Sequence, residues 1–164
     1  MENKNIEIAI FAGGCFWGVQ HHMSILDGVI HTEVGYTGGN IKNPSYEEVC
    51  SSNTGHAEAI KVEFDNSKLS FENLAKLFFE IHDPGQLNRQ GPDIGTQYRS
   101  AIFYNNEEQK LISQKLIDIL LNKGYEVVTE LLAATEFYPA EKYHQDYYKK
   151  TQSRPYCHIY QKKF

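Results

Sequence analysis

A cysteine flanked by glycines and followed by two large aromatic rings stands in the segment Gly13-Gly14-Cys15-Phe16-Trp17-Gly18. A thiolate combines strong nucleophilicity with a pKa that its surroundings tune. The residues before it supply a way to hold one. Ile6, Ile8 and Ile10 alternate with Glu7, Ala9 and Phe11, the period of a half-buried strand, so Cys15 falls at a strand-to-helix turn. Unpaired N–H groups of a first helical turn would stabilise the thiolate and lower its pKa. The competing reading is a buried structural cysteine beside two core aromatics. Phe16 and Trp17 could wall a pocket for a small alkyl or thioether group, with the glycines allowing close backbone approach, or could be core anchors.

Chemistry at Cys15 also needs an acid, and Glu58 is the candidate. In the segment 57–64, Glu58, Ile60, Val62 and Phe64 share one strand face, while Ala57, Ala59, Lys61 and Glu63 share the other. A carboxylic acid facing apolar residues is costly to ionise, which raises its pKa toward a value useful for proton donation. The alternative is a strand-end carboxylate with its head in water. Tyr46, Asp93 and Tyr98 lie in or beside loop-like stretches, where hydroxyl and carboxyl groups can orient a bound oxygen or be ordinary surface groups. His56 and His82 read as structural or surface histidines. The chain has no serine nucleophile elbow, Walker loop or dinucleotide fingerprint, so a nucleotide cofactor has little support.

The 164 residues, 41% of them hydrophobic, suit one domain spanning residues 1–164 with a real core. A formal charge of -5 and the lack of a basic tract argue against a general nucleic-acid surface. With no apolar run of membrane-spanning length and no leader-like N-terminus, a soluble cytoplasmic protein with no membrane association is expected. No motif demands pairing, which favours a monomer. Cys15, Cys50 and Cys157 are an odd set without a Cys-x-x-Cys pair, better suited to transient redox chemistry than to a disulfide framework. Tight zinc chelation is a poor reading and no metal site is expected, although seven histidines keep composition from deciding this alone.

The elements that must position these residues alternate. A short helix follows Trp17 through Met23, Gly28 to Tyr36 leads from a turn into a strand, and Tyr46 to Cys50 favours one or two helical turns. Ser70 can cap a helix carrying Leu74, Leu77, Phe78 and Ile81. Gln97 to Tyr104 reads as a strand. Asn106 opens a longer helix with Gln109 in the capping-box position and Leu111, Leu116, Ile119 and Leu120 as its packing face, and Gly124 ends it. Val127 to Leu132 continue the alternation, a strand includes Thr135 and Phe137, and a short helix lies around Tyr143 to Tyr147. Residues 40–44 and 84–95 are loops, and Arg154 to Phe164 is a C-terminal extension. The order suggests α/β or α+β architecture.

The run GGCFWG from Gly13, together with GYTGG from Gly35, GHAEAI from Gly55 and GTQYRS from Gly95, resembles the peptide methionine sulfoxide reductase A family over roughly residues 8–148. The resemblance implies a cofactor-free α/β (α+β) two-layer sandwich, with a mixed central sheet, flanking helices and an irregular C-terminal tail over 151–164. It implies reduction of the S epimer of methionine sulfoxide, free or in peptides and oxidised proteins. Cys15 would be the nucleophile and Glu58 the proton donor. Phe16 and Trp17 would shape the methyl pocket, while Tyr46, Tyr98 and Asp93 would complete the polar site. Cys15 would become a sulfenic acid, and thioredoxin or another thiol would restore it. Cys157 resembles the recycling cysteine of many members, although its flanks depart from their common glycine-rich tail. Cys50 reads more readily as packing.

Two other function classes fit a reactive Cys15. A thiol peroxidase would also oxidise it to sulfenic acid, with peroxide as the oxygen source. A peptide-binding module would recognise methionine or its oxidised form without turnover.

Overall fold

The computed structural model describes residues 5–51, 53–153 and 158–164. Strand β1 (Ile6–Gly13) sits inside a six-stranded sheet of order β7-β6-β1-β3-β2-β8, formed with β2 (Val29–Thr37), β3 (Ala57–Asp65), β6 (Ser100–Tyr104), β7 (Glu130–Ala133) and β8 (Phe137–Pro139). Pairings are antiparallel except β6 with β7, which is parallel. A second, two-stranded sheet joins β4 (Arg89–Gln90) to β5 (Asp93–Ile94) within the expected 84–95 loop.

Alternation along the strands assigns the two faces. Ala9, Phe11, Val34, Tyr36, Ile60, Val62, Phe64 and Ile102 belong to the main core. There they meet α1 (Phe16–Ser24), α3 (Phe71–Glu80) and α4 (Glu107–Asn122). The opposite face carries a smaller cluster of Ile10, Ala12, Ala57, Ala59, Ala101 and Phe103, with Phe137 packed against it. Both faces of β3 are therefore buried at its start, with Ala57 and Ala59 as well covered as Ile60. The helices gather on one face, so the mixed sheet with flanking helices is the expected two-layer arrangement. No helix among the described residues is long and apolar enough to cross a membrane.

Local capping follows the sequence with some shifts. Ser70 Oγ accepts the Asn73 N–H at 3.0 Å, and Asn106 accepts the Gln109 N–H at 2.8 Å. The returning arm of the Gln109 box reaches the Asn105 N–H instead of that of Asn106. Leu111 is 62% exposed, because the buried stripe of α4 is Gln109, Ser113, Leu116, Ile117 and Leu120. The predicted strand from Gln97 shortens to Ser100–Tyr104. Residues Thr96–Tyr98 form a 3₁₀ turn in which the buried Gln97 amide donates to Cys50 O, drawing the segment out of the ladder. The helix expected around Tyr143–Tyr147 divides into a 3₁₀ turn at Lys142–His144 and α5 at Tyr147–Thr151. The last described segment, 158–164, is irregular.

The GYTGG and GHAEAI runs pair along β2 and β3 from Gly35–Ala59 to Thr37–Ala57, and just beyond the ladder Gly39 meets His56. Gly39 N–H donates to His56 Nδ1 at 3.0 Å, which leaves the proton on Nε2 for Ile41 O at 2.7 Å, so His56 is structural. A Cβ at Gly39 would lie 2.4 Å from both His56 N and Thr54 O. Gly39→Ala is expected to cost about 1–3 kcal/mol, because the clashing atoms are backbone and cannot turn aside. A lowered urea midpoint with unchanged slope would register it.

Candidate active site

Strand β1 ends at Gly13, and Gly14 takes a positive φ of 95° that turns the chain so that Cys15 becomes the N-cap of α1. A Cβ at Gly14 would lie 2.7 and 2.8 Å from Cβ and Cγ of Gln90, so a side chain there is excluded twice over. The Cys15 carbonyl accepts the Gly18 and Val19 N–H groups at 3.2 and 3.5 Å, and the residue is 8% exposed. The thiol-bearing residue thus caps the end of a helix whose aligned peptide dipoles favour negative charge. Gln90 brings β4 against this turn, and with it Asp93, its partner on β5.

Glu58 is 1% exposed on the helix side of β3, directly across from Tyr36 of β2. Its Oε1 accepts the Phe16 N–H at 3.2 Å, which ties the carboxyl group to the residue after Cys15. Its Oε2 is buried with no hydrogen-bond partner among the described residues. Burial drives the pKa up to about 8; the Phe16 N–H opposes the rise and the negative charge of Asp93 adds to it. The alternative of a strand-end carboxylate with its head in water is thereby corrected: β3 continues past Glu58 into covered positions on both faces.

Tyr46 opens α2 (Tyr46–Cys50), a helix capped by a reciprocal Ser45–Glu48 box. Its backbone N–H donates to Glu141 Oε2 at 3.0 Å, while Glu141 Oε1 accepts the Tyr36 hydroxyl at 2.9 Å. Tyr98, on the 3₁₀ turn, lies within reach of the charges of Glu58 and Asp93. Burial raises the hydroxyl pKa of both Tyr46 and Tyr98, and the nearby Glu58 raises them further, so both remain proton donors at neutral pH. Between them lies Cys50, hydrogen-bonded by Tyr46 and Tyr98, its own thiol pushed up mainly by burial. The reading of Cys50 as simple packing is incomplete: one turn after Tyr46, it presents sulfur to both tyrosines.

Phe16 is a core anchor at 1% exposure, with ring centroids 5.7 Å from Tyr36 and 5.3 Å from His144. Trp17 is half-buried. Its indole Nε1–H donates to His144 Nδ1 at 3.0 Å, and its ring stacks on Tyr147 at 3.6 Å with 6° between planes. The arrangement therefore joins Cys15, Glu58, Tyr46, Tyr98, Asp93 and the two aromatic rings around one turn. Cys157 lies outside the described residues.

The sequence model described as Peptide methionine sulfoxide reductase matches residues 7–164, nearly the whole chain. The chain belongs to the peptide methionine sulfoxide reductase family. Among its relatives, the peptide methionine sulfoxide reductase MsrA of Nautilia profundicola is 51% identical over 149 residues, covering 91% of this chain and 86% of that one. The MsrA of Saccharolobus solfataricus is 48% identical over 155 residues, covering 94% and 88%. The solved structure of Mxr1 from Saccharomyces cerevisiae in reduced form superposes with a TM-score of 0.90 at 32% identity, covering 97% of this chain and 94% of that one. Membership of the peptide methionine sulfoxide reductase family agrees with the mixed sheet and one-sided helices described above.

Sequence reasoning passed over Glu141 and His144 and read Cys50 as packing, although each touches a residue it had singled out. Glu141 and His144 sit in an AEKYHQD run whose polar character reads as surface. Only the fold carries that run back under α1 and α2. Because His144 Nδ1 accepts from Trp17, its proton is on Nε2, which is buried without a hydrogen bond among the described residues and stands 3.9 Å from Glu141 Oε1. His82 lies beneath Gly13 and bonds Phe78 O and Ser100 Oγ; burial lowers its pKa to about 3, so it is neutral.

Proposed function

We propose that this protein reduces the S epimer of methionine sulfoxide, free or within peptides and oxidised proteins, to methionine. The observation that carries the reading is the buried Glu58 carboxyl group, protonated at neutral pH, with one oxygen tied to the Cys15 turn and the other unpartnered among the described residues.

The Cys15 thiolate attacks the sulfoxide sulfur while Glu58 delivers a proton to the oxygen, so that the developing oxyanion is neutralised as it forms. Tyr46 and Tyr98 donate hydrogen bonds to the same oxygen, burial keeps Glu58 protonated with the charge of Asp93 adding to it, and Phe16 and Trp17 surround the methyl group. Collapse transfers the oxygen to Cys15. Sulfoxide and thiol become sulfide and sulfenic acid, so the substrate sulfur is reduced by two electrons and the cysteine sulfur oxidised by two. A second thiol then condenses with the sulfenic acid, releasing water and leaving a disulfide. In our reading that thiol belongs to Cys157, and thioredoxin or another dithiol reduces the bond by exchange. The chemistry requires neither a metal nor an organic cofactor. We assign the whole chain to one monomeric catalytic domain acting in the cytoplasm.

Single-turnover product counting tests this. Pre-reduced protein incubated without reductant is expected to yield roughly one methionine per chain from the S epimer, none from the R epimer, and to lose two thiols. No methionine from either epimer, with turnover of hydrogen peroxide instead, would move the assignment to thiol peroxidase.

A further inference from the structure

We infer that His158 is a positioning residue for the recycling step, fixing the C-terminal strap 158–164 to the turn that carries Cys15. The inference rests on the reading that Cys157, its neighbour in sequence, is the resolving thiol.

The strap is irregular, yet it is held at both ends by buried polar groups. At one end, His158 is 3% exposed and its Nε2–H donates to Gly13 O at 2.7 Å, while His22 Nε2–H donates to His158 O at 2.9 Å. The ring lies over the Cys15 turn itself. A Cβ at Gly18 would be 2.1 Å from His158 Nδ1, and one at Gly14 would be 3.3 Å from Nε2. Gly18 is thus the seat of the imidazole. At the other end, the buried Lys163 ammonium donates to Phe79 O at 2.6 Å and His82 O at 3.1 Å, carbonyls at the C-terminus of α3. Glu80 accepts the Gln161 N–H on its backbone oxygen and the Lys163 N–H on its carboxylate. Phe164 packs on Phe79, with Lys76 and Lys123 over its ring.

Burying an imidazole and an ammonium to hold an irregular segment costs desolvation that a segment left in water does not bear. The expense has a purpose if the strap must present a thiol to the nucleophile. Because Nε2 donates, Nδ1 is unprotonated, and it is buried with no hydrogen-bond partner among the described residues. Protonation would direct a second N–H at the Gly18 backbone, where no acceptor is seen, so the neutral ring is the one that fits. Burial first, with His22 adding, lowers its pKa to about 4, and the bond to Gly13 O and the charge of Asp93 oppose the shift. The neutral ring seen bonded to Gly13 O is therefore the form present at neutral pH. The bond that His158 makes to this turn is to the Gly13 carbonyl, and the reductive half-reaction is assigned to the groups already named.

The test compares His158→Ala, Lys163→Met and Cys157→Ser with the parent protein in three assays: methionine formed in a single turnover, lifetime of the Cys15 sulfenic acid by dimedone trapping, and thioredoxin-supported turnover. His158→Ala is expected to form methionine within about threefold of the parent rate while its sulfenic acid persists at least about tenfold longer, as lost proximity requires. Thioredoxin-supported turnover should fall in parallel, and Lys163→Met, farther from the nucleophile, should move the same way by a smaller factor. Dithiothreitol, which reduces the sulfenic acid directly, should restore turnover in all three. If Cys157→Ser lengthens the sulfenic acid lifetime but neither His158→Ala nor Lys163→Met does, the positioning role is overturned and the resolver stands. If Cys157→Ser leaves that lifetime unchanged, the resolver reading fails and the positioning role with it.

Discussion

Cys15→Ser is expected to abolish methionine formation in a single turnover, a loss on the order of 10⁴-fold or more. Serine fills the same space at the N-cap of α1 and is itself a favourable capping residue, so the fold should persist. What disappears is the polarisable sulfur that the proposed attack uses; a hydroxyl in its place has far too high a pKa to attack sulfur unaided. Binding of the S-sulfoxide, measured by calorimetry on the inactive variant, should survive, because the pocket wall and the groups proposed to hold oxygen are untouched. Methionine released at near the parent rate would shift the nucleophile elsewhere, and Cys50, set between Tyr46 and Tyr98, would be the thiol to examine next.

Glu58→Gln is expected to slow the reductive step by about 10²–10⁴-fold, the usual range for loss of a positioned general acid. The pH profile separates this from a packing effect. With the carboxyl pKa raised to about 8, the acid form is present below that pH and lost above it, so the parent rate should decline through pH 8 and the variant should lack that decline. Linkage gives the same group a second signature. A carboxyl whose pKa rises from 4.5 unfolded to about 8 folded holds a proton that the unfolded chain has released, so the native state loses stability as pH climbs between those values. At pH 7 the loss is about 3 kcal/mol, and it vanishes below pH 4.5. The glutamine variant carries no such term. Thermal unfolding from pH 4 to pH 8 should therefore show the stability of Glu58→Gln rising relative to the parent, whatever the cost of its unpaired amide. Superimposable pH dependences of rate and stability in the two proteins would remove Glu58 from the acid role.

Much of this architecture could be read from residue order because several elements state their geometry locally. Ile6 to Phe11 and Glu58 to Phe64 alternate with period two, Ser70 carries its own cap, and Gly14 stands where a positive φ is needed. Glu58 was legible for the same reason: its face was fixed by Ile60, Val62 and Phe64. Where the reading went astray, polar residues occupied the interior. Gln109 and Ser113 line the buried stripe of α4, and apolarity alone placed Leu111 there in error. Gln97 and Tyr98 read as strand because the cause of their turn, the Gln97 amide reaching Cys50 O, lies 47 residues away in sequence. Glu141 and His144 were hidden by the same kind of distance. Their partners, Tyr36, Tyr46 and Trp17, lie about a hundred residues upstream, and no local pattern announces such pairings.

The link between Glu58 and the Cys15 turn runs through the amide of residue 16, not through its ring. A main-chain donor is indifferent to the side chain it carries, so this bond between Glu58 and the Cys15 turn depends on residue 16 only in that proline would remove it. Position 16 is nevertheless a core anchor packed on Tyr36 and His144, so exchange there is confined to large apolar and aromatic residues, each of which would keep the proposed acid in register with the turn.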